Sequence, residues 1–130
     1  MKSKKEIKEL KRLEREADKL WSEYIKKRDK RCIICGRADI QAHHIFGRWK
    51  KSTRWDIYNG VSLCVHHHRF CVHGLSWSRV QKESFMNICK IILGDEFYNT
   101  IKNNNVIFRP TKEDLMVIVN GLKEKINSIN

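Results

Sequence analysis

The chain has 130 residues, 27 Lys and Arg against 15 Asp and Glu, and a formal net charge of +12. This length suits one domain with one modest core, and no apolar run long enough for a membrane helix occurs. The positive excess points to a polyanionic partner, nucleic acid being the commonest, against the plainer reading of a solvated basic surface. The N-terminus is charged and lacks an apolar secretory segment, and the odd count of five cysteines argues against a full disulfide framework. A reducing cytoplasmic setting is the resulting expectation, in which clustered cysteines hold metal.

Residues 4–29 predict one long helix. Ile7, Leu10, Leu13, Ala17, Leu20, Trp21 and Tyr24 recur at spacings of three and four, with charged residues between them. Glu6, Glu9, Glu14 and Glu16 offset the basic residues of its first half. Its end, with Lys26, Lys27, Arg28, Lys30 and Arg31, is uncompensated, so Arg28 and Arg31 are candidate phosphate contacts. Strands are expected over 40–45 and 58–63, joined by a polar connection over 47–56. That connection carries Arg48, Lys50, Lys51 and Arg54, candidate nucleic-acid contacts that could equally be solvated. Of its two tryptophans, Trp55 suits the core, and Trp49 suits either base stacking or cover for the core.

A helix is expected from near Cys64 to Val72, ending at His73-Gly74. Helices follow over 77–93, 95–102 and from Thr111, a predicted N-cap with Asp114 three residues on. Cys71 and Cys89, set among apolar residues, read as small buried side chains. The fold class is α+β in a single domain: a basic N-terminal helix (1–31), a metal-held core (32–74) and a helical scaffold (75–130).

The chemistry is concentrated between Cys32 and His73, which hold all six histidines. Cys32-x2-Cys35 followed by Gly36 is a knuckle that can grip one ion, with a redox pair as its rival. Cys64-x2-His67 completes a Cys3His set of the kind that structural zinc adopts, although His66 or His68 could replace His67. Successive helical side chains are about 100° apart, so His68 points away from the ion that His67 faces, towards His43-His44. Strand alternation sends His43 and His44 to opposite faces, and both can serve one site only if the strand ends or twists there. His73 is left over as a surface residue or an additional ligand.

At these residues the chain resembles the HNH endonuclease family with its ββα-metal finger. The matching residues are Cys32-x2-Cys35, His43-His44 and the run Asn59-Gly-Val-Ser-Leu-Cys64-Val-His-His67-His68, over about residues 30–73. His67 stands where a second cysteine is usual, and His43 where many members have Asp. A looser similarity, Trp21-x2-Tyr24-Ile25-x2-Arg28-Asp29, extends to phage recombination proteins of the NinG type.

The resemblance implies a phosphodiester hydrolase, with His44 as general base, His43 and His68 binding one divalent ion, and Asn59 orienting the His44 loop. Because imidazole suits Mn²⁺ or Ni²⁺ better than Mg²⁺, the former ions are expected to support more activity. The expected partner is double-stranded DNA, and the expected state is a monomer or weak homodimer, possible phage origin included. The alternatives are a zinc-stabilised DNA-binding module without chemistry and a phage recombination or junction-processing accessory protein.

Overall fold

A computed structural model describes residues 1–129. Helix α1 (Lys4–Asp29) begins at Ser3, whose hydroxyl accepts from the Glu6 N–H, and ends where Lys30 turns left-handed at φ +64°. Strands β1 (Ile40–His44) and β2 (Gly60–Cys64) form an antiparallel pair, with Ile40 opposite Cys64 and His44 opposite Gly60. Between them lies a one-turn helix, α2 (Lys51–Arg54). A π-helix over His66–Val72 follows β2, and then come α3 (Arg79–Leu93), α4 (Asp95–Lys102) and α5 (Lys112–Ser128). The mixed α+β class expected from the sequence is the class observed. No helix of the described residues is long and apolar enough to cross a membrane.

The helix boundaries follow from local chemistry. Ser78 with Gln81, and Thr111 with Asp114, close reciprocal capping boxes at the starts of α3 and α5. Strand β2 starts two residues later than the sequence suggests, because Tyr58 and Asn59 belong to a turn. The Asp56 carboxylate accepts the Tyr58 N–H, and its carbonyl accepts the Asn59 N–H.

Two apolar clusters hold the elements together. In the first, Leu13, Ala17, Trp21 and Ile25 of α1 meet Leu115, Val119 and Leu122 of α5, with Trp55 beside them. In the second, Ile45, Val61, Leu63, Phe85 and Cys89 pack α3 under the sheet beside Cys32 and Cys64. Gly60 permits α1 to lie close against the sheet. A methyl group there would stand 2.4 Å from Trp21 Cζ2 and 2.9 Å from Ile25 Cδ1. Cys71 and Cys89 are both buried, as their apolar surroundings suggest.

Candidate metal centres and histidine cleft

Among the described residues, two groups of side chains place ligand atoms within 4.8 Å of one another: Cys32, Cys35, Cys64 and His67, and His43, His68 and His73. In the first, the Cys35 and Cys64 sulfurs are 3.7 Å apart, and His67 Nδ1 lies 3.6 Å from Cys32 Sγ and 3.2 Å from Cys64 Sγ. A tetrahedral zinc ion with its usual bond lengths spaces sulfurs by about 3.8 Å, and sulfur from nitrogen by about 3.6 Å. The donor set and its spacing therefore fit zinc.

The knuckle geometry is local. Gly36 takes φ +76° while its N–H bonds the Cys32 carbonyl, turning the chain so that both sulfurs face one point. The His67 N–H is directed at Cys64 Sγ at 3.4 Å. Burial acts to raise the Cys32 thiol, but N–H groups of Cys64, Cys35 and Ile34 outweigh it, and Cys32 ionises below its ordinary value. The thiolate is the form that binds metal.

The second group contains the expected His43 and His68, and adds His73. His43 Nδ1 lies 3.2 Å from His73 Nε2, and the His68 ring centroid is 5.3 Å from that of His43 and 4.8 Å from that of His73. Two nitrogens at about 2.1 Å from one ion, between tetrahedral and octahedral angles, stand about 3.0–3.4 Å apart, so the pair also fits a shared ion. His68 Nδ1 donates to Gln41 Oε1 at 2.8 Å, which leaves Nε2 as its ligating atom.

The π-helix explains why His73 joins the group. The His73 N–H bonds the His68 carbonyl five residues back, so the two side chains are one turn apart on one face. His43 is buried, and its pKa is lowered to about 3 by burial first and by the neighbouring His68, His73 and His44 next. His68 is lowered by burial and by His73. Both are held neutral, the state a metal ligand requires.

His44 points to the other face of β1, as alternation dictates, yet it borders the same cleft. This cleft, about 390 Å³, is lined by Asp18, Trp21, His43, His44, His68 and His73 among others. The His44 ring lies parallel to Trp21 within 7°, centroids 3.7 Å apart. Its Nε2–H donates to the Arg54 carbonyl at 2.9 Å, which leaves Nδ1 with the lone pair. Burial lowers its pKa to about 4, against the opposing pull of the Arg54 carbonyl and Asp18.

Asn59 is fully buried and fastens the loop after His44. Its Oδ1 accepts the Phe46 N–H, and its Nδ2 donates to the carbonyls of Gly47 and Thr53. Trp21 thus holds the His44 ring, and Asn59 the loop that follows it.

The candidate phosphate contacts divide. Arg28 bonds the Ile57 and Gly60 carbonyls and the Asp29 carboxylate, so it joins α1 to β2 and has little capacity for a ligand. Arg54 is partly buried and paired with Asp18 and Glu14, and its own carbonyl is the acceptor of His44 Nε2–H. Lys51 pairs with Glu14, and Lys50 donates to the Asn104 carbonyl. Arg48 is mostly exposed, with one 3.5 Å contact to Asp18, and it lines the histidine cleft. Arg31 is also exposed, near Gly36 of the knuckle. Trp55 is buried and donates to Asp18, whereas Trp49 is exposed.

Sequence reasoning missed Trp21, Asp18 and Gln41. Each lay in a pattern with an ordinary explanation: an apolar helix stripe, a surface acid and a strand polar residue. The upstream run Trp21, Ile25, Arg28 and Asp29 packs against or bonds to β2 and the turn before it. Asp29 accepts the Ser62 N–H, and Ser62 Oγ donates to the Ile25 carbonyl. No protein-family model, curated protein or solved structure matches the chain.

Proposed function

We propose that the protein is a metal-dependent DNA endonuclease of the HNH type, built on a ββα-metal finger. The observation that carries this reading is the open cleft in which a neutral, oriented His44 stands beside three converging imidazoles. A structural zinc site alone requires neither. The Cys3His group, which includes the last residue of β2, suits a frame-holding zinc.

His44 is the general base, taking a proton from water at Nδ1 while Nε2–H stays bonded to Arg54. A base with a pKa near 4 draws a proton from free water only weakly. A divalent ion held by His43, His68 and His73 would supply the Lewis acid that acidifies the water and neutralises phosphate charge. Trp21 and Asn59 keep His44 from turning, and Arg48 at the rim holds a phosphate oxygen. Three imidazoles favour Mn²⁺, Ni²⁺ or Zn²⁺ over oxygen-seeking Mg²⁺.

The test is cleavage of supercoiled plasmid by the zinc-loaded protein in Mg²⁺, Mn²⁺ and Ni²⁺. Faster conversion in Mn²⁺ or Ni²⁺ than in Mg²⁺ supports both the activity and the ligand set. A plasmid left intact in every metal, with linear and branched DNA also uncut, leaves a zinc-held DNA-binding module instead.

A further inference from the structure

The loop after β1 has two sides. Gly47 and Arg48 line the histidine cleft, whereas Trp49, Lys50 and Lys51 line a second groove of about 530 Å³, bounded by the start of α1 and by residues 105–110. Adjacent residues, Arg48 and Trp49, thus line the two different cavities. Trp49 is 76% exposed, with Lys50 Nζ 5.2 Å from its ring centre. The Lys50 bond to the Asn104 carbonyl fastens the loop to the far wall. Lys2, Lys50, Lys51 and Arg109 line this groove against one carboxylate, that of Glu14, which Lys51 and Arg54 already pair. The exposed Val106 and Ile107 add apolar surface to the far wall.

We infer that this groove binds an unpaired DNA strand leading into the histidine cleft, with a base stacked on Trp49 and phosphates against Lys2 and Arg109. An indole stacks on a base face, and inside a duplex those faces are covered by the neighbouring pairs, so Trp49 selects unpaired bases. The cations track the backbone that accompanies them. This deepens the nuclease reading, on which it rests, by naming the substrate as DNA with a single-stranded flank.

The experiment is binding of a labelled twelve-nucleotide oligo-dT and a blunt twelve-base-pair duplex to the full chain, by anisotropy, without added divalent metal. Trp49→Ala is expected to weaken oligo-dT by roughly 5- to 150-fold, the equivalent of about 1–3 kcal/mol per stacked base. It should leave the blunt duplex within about threefold, because stacking covers every base face of that ligand except the outer faces of its two terminal pairs. Trp49→Phe should retain most of the affinity, and Arg109→Ala should flatten the salt dependence by about one phosphate contact. Unchanged oligo-dT binding by Trp49→Ala, or an equal loss on the blunt duplex, overturns the inference. Polyglutamate competing as well as oligo-dT at equal charge overturns it too. Because the readout is binding, its failure is separable from failure of the nuclease reading, which is decided by plasmid cleavage.

Discussion

Replacing Gly60 by alanine tests how the cleft is held. The added methyl would lie 2.4 Å from Trp21 Cζ2 and 2.9 Å from Ile25 Cδ1, both buried on the 26-residue helix α1. Both side chains are buried, so the upper part of the overpacking range, about 2–3 kcal/mol, is expected. For a chain of this size that corresponds to a fall of roughly 6–15 °C in the unfolding midpoint. The displaced Trp21 also leaves the 3.7 Å stack on His44, so cleavage should fall further than any loss of folded protein explains. Trp21→Phe alone removes the indole bond to the Asp56 carbonyl and is destabilising by about 1–3 kcal/mol. It also supplies a smaller ring for the alanine to meet. The double variant should therefore be at least about 1 kcal/mol more stable than the sum of the single losses. Urea titrations at saturating zinc measure all three. Additivity within about 0.5 kcal/mol, or an unchanged Gly60→Ala midpoint, refutes the packing argument.

Further predictions concern the two metal groups. Cys35 is exposed, so Cys35→Ser removes a ligand with little change in packing; elemental analysis should show zinc loss, and circular dichroism a large drop in stability. Cys89→Ser, buried but outside the ligand set, should lose stability at unchanged metal content. Gln41→Leu removes the acceptor of His68 Nδ1 and should weaken Mn²⁺ at the histidine group by about 10- to 100-fold, leaving Cys3His zinc in place. His73→Ala should do the same or more, and titration calorimetry reads both. Unaltered Mn²⁺ affinity in His73→Ala would remove His73 from the ligand set.

The sequence carried much of this arrangement because its signals are local. The spacing of Leu13, Ala17 and Trp21 marks α1, Ser78 and Thr111 cap their helices, and two x2 spacings mark the Cys3His group. The separation of His67 from His68 follows from helical rotation alone. His73 was not legible as a partner of His68, because five residues on an ordinary α-helix place side chains about 140° apart. The i→i+5 bond closes that angle, and nothing in His66–Val72 announces it. Arg28 and Arg54 looked available because their partners, Gly60, Asp18 and Glu14, lie more than 30 residues away. Trp21 answered its helical period, while its stack on His44 required a glycine on the opposite strand.

The most direct measurement is the rate at which supercoiled plasmid is converted in Mn²⁺ by wild type and by His44→Ala, with metal content determined on the same samples. A general base of this kind predicts a loss of about 10²- to 10⁴-fold at unchanged occupancy of both metal groups. Equal rates at equal occupancy would contradict the role of His44, and with it the central claim.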